Sequence, residues 1–328
     1  MFDVKTCSDE TAEIGEMNLA LAAGLPGAEG LDVPCYLRRL DGWARLVAAK
    51  TDRWLPRFDH APADFDGSLP KFRMLALVTV LQRDLGVRYD PACQEGPYCA
   101  LDSRTLFLHG LLEGQGGTCA TMPVLYVAVG RRLGYPLFLV HAAEHFFVRW
   151  EEPGGERFNI EATTMGFTPR DDEHYRHWPK PIRDEDVRRG LFLRNLTPEE
   201  EYAAFLRLRG QCRLDHLWTA AALEAFSRAQ ALRPRLPGIE CVHAVASIIH
   251  RLVESMGRET LLRMGPADIP FLPVERQCDP QLRSLALDEL QRIVSNYQDR
   301  RMPSSISRFV TEPFLATHEA GSERWSFP

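Results

Sequence analysis

A run of glycines directly before a cysteine constrains the fold of this chain more than any other feature of its sequence. Gly114-Gln-Gly-Gly117 is followed by Thr118 and Cys119, and Pro123 comes four residues after the cysteine. Proline is tolerated in the first turn of an α-helix, where its missing N–H is not needed. The spacing therefore predicts a glycine loop that leads into a helix beginning close to Cys119. Glycines also allow the backbone to approach a substrate closely.

The residues after this loop predict a helix followed by antiparallel strands. The helix at 119–133 ends in two arginines, a leucine and a glycine, as the C-terminus of a helix commonly does. Residues 137–140 form a short apolar run, and 146–150 are rich in strand formers. Residues 158–163 alternate in polarity after a Pro-Gly-Gly turn, which predicts a hairpin with the preceding strand. The expected fold class is α+β, with a central helix packed on an antiparallel sheet.

Helical patterns flank this predicted core on both sides. We expect a helical N-terminal region over residues 1–100, the core over 101–182, a second helical region over 183–300 and a loosely structured tail over 301–328. The second helical region begins with a capping threonine, a proline and two glutamates from Thr197 onward.

Part of the second helical region has the spacing of a tetratricopeptide unit. Ala222, Phe226 and the closing Pro234 match the second helix of such a unit, and Gly210 falls on the small-residue position of the first helix. The chain shows no clear second copy at that period. We therefore expect one helical pair packed on the rest of the chain, because a single unit cannot form a solenoid.

The composition and net charge of the chain disfavour several classes of function. Lys plus Arg number 39 and Asp plus Glu number 45, giving a net charge of −6, which disfavours a nucleic-acid binder. The N-terminal residues are polar and acidic, unlike a signal peptide, and no apolar stretch has the length of a membrane span. The eight cysteines contain no C-x-x-C pair, which disfavours a disulfide scaffold or a four-cysteine zinc site. We expect a cytoplasmic protein that binds neither nucleic acid nor a membrane.

Three residues in this core have the chemical types of a nucleophilic triad. Cys119 stands at the start of the predicted helix, where unpaired N–H groups and the helix dipole favour an anion. His145 and Glu161 lie on the two strands of the predicted hairpin, and one register places them directly opposite each other, with Cβ atoms about 4.5–5.5 Å apart. A turn centred on Gly154-Gly155 would shift that register. The three residues predict a thiolate nucleophile, an imidazole acid–base and a carboxylate that orients the imidazole.

Residues 116–136, 144–150 and 158–163 resemble the core of bacterial transglutaminase-like proteins. The branch they resemble has helices before the core and tetratricopeptide-like helices after it. The resemblance implies a papain-like, transglutaminase-type core flanked by α-helices. It covers most of the chain, although its specific motifs lie at about residues 101–180.

By this resemblance, Cys119 is the nucleophile, His145 the base and Glu161 the acidic third member, where the superfamily usually has aspartate. The implied activity is cysteine-dependent acyl transfer or amide hydrolysis, as in a protease, deamidase or transglutaminase. The expected substrate is a protein or peptide, and no metal or organic cofactor is expected. The backbone N–H of Cys119 and the side chain of Gln115 are candidates to stabilise the oxyanion.

Two other hypotheses stay open at this point. His141-Ala-Ala-Glu144-His145 matches the H-x-x-E-H motif of a zinc hydrolase, which needs a helix to bring both histidines to one metal. The flanking residues favour a strand instead, where residues four apart lie about 13 Å from each other, too far to share a zinc ion. The other hypothesis is a catalytically inactive module that binds a protein partner through its C-terminal helices.

Overall fold

A computed structural model describes residues 13–90, 100–274 and 278–301 of the chain. The tail predicted at 301–328 lies outside the described residues, apart from Arg301 at the end of a helix.

The described chain divides into two compact units. The first unit contains the described residues up to 90 together with Ser103–Phe205. The second contains residues 100–102 and the described residues from Leu206 onward. The domain boundaries expected after residues 100, 182 and 300 stay predictions.

The first unit begins with helices that start at side-chain caps. The carboxylate of Asp32 accepts a hydrogen bond from the N–H of Cys35, and the hydroxyl of Ser68 accepts one from the N–H of Lys71. Both caps are followed within two residues by a proline, which suits the first helical turn. The helices are α1 (Ile14–Ala22), α2 (Val33–His60) and α3 (Leu69–Thr79), and α3 continues into a π-helical turn at Val80–Asp84.

A buried helix and one antiparallel sheet form the centre of this unit. After a 3₁₀ turn at Ser103–Thr105 come α4 (Leu108–Leu112) and α5 (Met122–Arg132). Residues 122–130 of α5 are all buried, and α5 contacts the first two strands. The described strands are β1 (Leu137–Ala142), β2 (His145–Glu151), β3 (Arg157–Ile160) and β4 (Pro169–Arg170), in the order β1-β2-β3-β4. The predicted α+β fold with a central helix on an antiparallel sheet is confirmed.

The register between β2 and β3 differs by two residues from the predicted one. Val148 pairs with Ile160, so that continuing the ladder would bring residue 163, rather than Glu161, opposite His145. The shift arises at the turn, which is centred on Gly154 with a φ of 69°. A displacement of two residues leaves each side chain on its predicted face, because side chains alternate with a period of two.

Short helices follow the sheet, and the second unit is helical in its described part. The first unit continues with α6 (Asp172–His177) and α7 (Asp184–Arg188), and the boundary between the units falls within α8 (Pro198–Asp215). The later elements are α9 (Thr219–Leu232), α10 (Ile239–Met256), α11 (Arg258–Arg263), a 3₁₀ helix at Pro266–Phe271 and α12 (Pro280–Arg301). None of the described helices combines the length and apolar character needed to cross a bilayer.

Helices α8 and α9 pack closely at the position where the sequence predicts a small residue. A Cβ atom placed on Gly210 would lie 2.4 Å from the ring of Phe226, so a larger residue would not fit there. This contact is the kind expected within a helical pair. The tetratricopeptide-like character of the region stays a prediction.

The glycine loop before Cys119 packs against the backbone of Arg88 and Asp90. The N–H of Gly117 donates to the carbonyl of Arg88 at 2.8 Å, and its carbonyl accepts from Asp90 at 2.9 Å. A Cβ on Gly116 would lie 2.5 Å from the Cβ and 2.9 Å from the Cα of Asp90. The sequence analysis linked these glycines to substrate approach, but the structure shows that Gly116 is needed for close packing of two backbone segments.

We predict that Gly116→Ala lowers the free energy of unfolding by about 1–3 kcal/mol, because the added methyl group meets backbone that cannot move aside cheaply. Gly42, inside α2, provides the matched control, since a Cβ there meets nothing closer than 3.9 Å. Gly42→Ala should stabilise the protein by up to about 1 kcal/mol through helix propensity. Denaturant unfolding of both variants checks the prediction, and equal effects of the two substitutions would contradict it.

Candidate active site

His145 and Glu161 form a buried pair at the start of β2 and just beyond the end of β3. The Nε2 atom of His145 lies 2.9 Å from Oε2 of Glu161, and the two side chains are 3% and 2% exposed. Burying a carboxylate is costly unless hydrogen bonds and an opposite charge compensate for the lost water. The histidine therefore supplies a compensation that the glutamate needs.

Two neutral residues, Tyr175 and Thr163, donate the other hydrogen bonds to the Glu161 carboxylate. Tyr175 donates its hydroxyl to Oε2 at 3.1 Å. Thr163 donates both its N–H, at 2.9 Å, and its hydroxyl, at 2.5 Å, to Oε1. Burial raises the pKa of Glu161, but the hydrogen bond and charge of His145 and the two bonds from Thr163 outweigh it and hold the pKa below its ordinary value. The carboxylate is thus ionised and held in one position.

Cys119 lies in the turn directly before α5 rather than within the helix. The helix begins at Met122, although the Met122 N–H already donates to the carbonyl of Thr118 at 3.0 Å. The Thr118 hydroxyl accepts from the N–H of Ala120 and caps this turn. Pro123 occupies the first helical turn, as the sequence predicts. The cysteine is partly exposed, and its sulfur lies 4.0 Å from the carbonyl oxygen of Glu144.

The structure brings the thiol of Cys119 and the imidazole of His145 together. Burial lowers the pKa of His145, but hydrogen bonds with Cys119 and Glu161, and the charges of both, outweigh it and raise the pKa to about 9. Because Nε2 is bound to Glu161, the other ring nitrogen, Nδ1, is the one left for Cys119. At neutral pH the histidine is therefore a cation placed between two groups that can carry negative charge.

The longer side chain of glutamate explains how Glu161 reaches His145 in the observed register. Diagonal neighbours on one face of a sheet have Cα atoms about 7–8 Å apart, farther than directly opposed residues. Because Glu161 and His145 share a face but are not opposite each other, the carboxylate must extend along the sheet. Glutamate has one more methylene group than the aspartate expected at this position, which supplies the extra reach.

Trp178 covers the histidine from the solvent side. Its ring packs edge to face on His145 with centroids 4.6 Å apart, and the indole is itself 39% exposed. Trp178 also contacts the ring of His174, 5.3 Å away, whose pKa is lowered by burial and by the charge of Arg170. The indole thus separates the His145–Glu161 pair from water while leaving part of its own surface open.

A buried arginine fixes the helix that carries Tyr175. Arg149 on β2 donates to Oδ1 of Asn159 at 2.8 Å and to Oδ1 of Asp172 at 2.6 Å. Asp172 is the first residue of α6, and Tyr175 lies one turn later with its ring stacked on Phe147 at 3.8 Å. The position of the Tyr175 hydroxyl on Glu161 therefore depends on a polar network that links the sheet to α6.

Gln115 takes no part in this cluster as described, and the two histidines of the H-x-x-E-H motif lie on different strands. Gln115 is exposed in the glycine loop, and its side chain makes no hydrogen bond to the described residues.

His141 lies on β1 and stacks on Phe146, while His145 lies on β2, so the H-x-x-E-H motif spans a hairpin turn. The helix that the zinc motif requires is not formed, and the extended strand expected across these residues is also wrong because the chain reverses there.

No group of three or more potential metal ligands occurs among the residues that the structure describes.

Sequence reasoning missed Tyr175 and Trp178. His174–His177 lies in α6, where the carboxylate of Asp171 caps the helix by accepting from the N–H of His174. An aspartate followed by two acids and an aromatic residue is a helix-start signal that could have been recognised. The sequence carried no signal for the contact of Tyr175 with Glu161, because it depends on tertiary packing.

An α+β core that joins a cysteine just before a helix, a histidine on a strand and a carboxylate just beyond the next strand is typical of papain-like cysteine enzymes and of modules derived from them. Residues 36–188 match the family model of the Transglutaminase-like superfamily. The chain therefore carries a domain of this superfamily, which extends from α2 to the end of α7 and includes every residue of the cluster. Searches of curated proteins and of solved structures found no match.

We predict that shortening Glu161 weakens its bond to His145. In Glu161→Asp the pKa of His145 should fall below 9, because the carboxylate no longer reaches Nε2, and in Glu161→Gln it should fall because the charge is lost. Histidine ring titration by NMR measures both shifts. Glu173→Gln, which removes an exposed carboxylate paired with His177, is the control and should leave the titration of His145 unchanged. A pKa of about 9 retained in Glu161→Asp would contradict the argument from reach.

Proposed function

We propose that this protein catalyses cysteine-dependent acyl transfer or amide hydrolysis on a protein or peptide substrate, with Cys119, His145 and Glu161 as the catalytic residues. The observation that carries the proposal is the buried 2.9 Å bond between His145 and Glu161 together with the contact of the same imidazole with the Cys119 thiol. This arrangement keeps a cation beside the sulfur at neutral pH, as is typical of a nucleophilic cysteine paired with a histidine.

The proposed reaction begins with attack of the Cys119 thiolate on an amide carbonyl. A C–S bond forms and the carbonyl oxygen takes the negative charge. The imidazolium of His145 then protonates the leaving amine, the C–N bond breaks and a thioester remains. Water or an amine attacks the thioester while neutral His145 accepts a proton, and the thiolate is released.

The backbone N–H of Cys119 is the better placed of the two oxyanion candidates. This N–H makes no hydrogen bond within the described residues, whereas the N–H of the following Ala120 is bound to Thr118. An unpaired N–H on the nucleophile's own residue is the donor that such an oxyanion needs. The role of Gln115 stays a prediction. A role for the C-terminal helices in binding a protein partner is likewise a prediction.

We predict that iodoacetamide alkylates Cys119 about tenfold faster than Cys35 and Cys241 near neutral pH, because an ordinary thiol is only a few per cent thiolate there. Both reference cysteines are exposed, while Cys119 is only partly exposed, so accessibility alone gives the opposite order. Peptide mapping by mass spectrometry after short labelling times measures the individual rates. His145→Ala should slow the labelling of Cys119 alone.

Equal, slow labelling of Cys35, Cys119 and Cys241 in the native protein would contradict the proposal and favour the inactive module. The same experiment on Glu173→Gln provides a variant control, since it changes a nearby exposed charge without touching the cluster.

We also predict a loss of stability at alkaline pH that depends on His145. Its pKa is raised from the ordinary 6.5 to about 9, so the folded protein binds this proton more tightly than the unfolded chain does. The stabilisation is fully present below pH 6.5 and is lost as the pH rises through 9. The free energy of unfolding of the wild type relative to His145→Asn should therefore shrink by about 2–3 kcal/mol across this range.

Denaturant unfolding at pH 6 and pH 9.5 measures that difference. Met165→Ala, an exposed substitution without a titrating group, should show the same difference from wild type at both values. A His145→Asn difference that is constant with pH would show that the imidazole is not held as a cation.

A further inference from the structure

Glu144, whose backbone contacts Cys119, forms an exposed ion pair that the proposed catalytic residues do not use. Lys180 Nζ lies 2.6 Å from Oε1 of Glu144, with the two side chains 61% and 66% exposed. Glu144 is also the residue whose carbonyl oxygen lies 4.0 Å from the sulfur of Cys119. A carboxylate that binds an alkylammonium ion is therefore carried by the residue that touches the nucleophile.

Glu144 and Lys180 differ in how strongly the fold fixes their positions. Glu144 lies in the short turn between β1 and β2, directly before His145, with a φ of 61° that few residues other than glycine adopt. Lys180 lies in the segment after α6, and an exposed pairing of this kind contributes little to stability. Another ammonium ion can therefore replace Lys180 while the Glu144 backbone stays in place.

We propose that Glu144 binds the acyl acceptor, a primary alkylammonium group such as a lysine side chain, and that Lys180 occupies the same carboxylate in the free protein. This inference rests on the proposed function, because an acceptor is needed only after the thioester has formed on Cys119. It identifies Glu144 as the residue that makes a cationic amine a better acyl acceptor than water. It also makes Lys180 a competitor of the acceptor.

The proposed transfer of the acyl group from Cys119 to the amine conserves atoms and charge. After acylation His145 is neutral, and it accepts one proton from the ammonium group held by Glu144. The amine nitrogen then attacks the thioester carbon, the C–N bond forms, the C–S bond breaks and Cys119 leaves as the thiolate. The second proton lost from the nitrogen goes to solvent. The enzyme returns to its thiolate–imidazolium state.

The test uses an acyl donor that does not depend on the natural substrate. 4-Nitrophenyl acetate acylates a reactive cysteine with release of 4-nitrophenolate, and the acetyl group then partitions between water and an added amine. n-Butylamine, cationic near neutral pH, is compared with methoxyamine, which is neutral there. The apparent KM for each amine follows from the yields of amide and acetate.

We expect Glu144→Gln to raise the KM for n-butylamine by about two- to fivefold, the range typical of an exposed ion pair. Lys180→Met should lower the same KM by a similar factor, because the competing ammonium is gone. The KM for methoxyamine should stay unchanged in both variants. In the double variant, the effect of Lys180→Met should disappear, since there is no carboxylate left to compete for.

Glu185→Gln and Arg189→Met, which break an equally exposed ion pair on α7, are the matched controls and should alter neither KM. The assignment is overturned if both single variants change the KM for n-butylamine in the same direction, if neither changes it, or if the two amines respond alike. A wild-type protein that forms no acetyl-enzyme overturns the proposed function and this inference together, whereas acetate release without a preference for the cationic amine overturns only the inference.

Discussion

The structure of the site depends on keeping one carboxylate ionised where water cannot reach it. Glu161 is stable there because His145, Tyr175 and Thr163 together donate four hydrogen bonds to its two oxygens. Each donor is brought by a different part of the chain: β2, the helix α6 and the segment after β3. The packing of α6 by Arg149 and the hairpin turn before His145 both serve this arrangement, because a buried anion with fewer partners would be costly.

Much of the central fold could be predicted from local sequence. Pro123 and the glycine loop place a helix start within a few residues, and strand formers around the Pro-Gly-Gly turn indicate a hairpin, because these preferences act over a few neighbouring residues. The register of β2 and β3 could not be predicted in the same way. It depends on which residue sits at the apex of the turn, and Gly154 with its positive φ displaced the pairing by two residues.

The site was predictable in its residue types but not in its surroundings. Cys119, His145 and Glu161 could be selected because each lies on an element whose direction the sequence indicated, and the structure brings all three side chains together; their catalytic roles remain a proposal. Tyr175 and Trp178 reach the cluster only because α6 folds back onto β2, a long-range contact without a local signal. Thr163 is the exception, since it lies two residues after Glu161 and binds it through local backbone geometry.

The neutrality of Tyr175 and Thr163 has an electrostatic consequence for turnover. Among the described residues that donate hydrogen bonds to Glu161, only His145 carries a charge. In the proposed reaction, the carboxylate loses this charged partner when His145 gives its proton to the leaving amine, while the carboxylate itself stays buried. In that proposed reaction, the acylated intermediate is therefore the state in which the site binds a proton most tightly, and this favours deprotonation of the incoming water or amine.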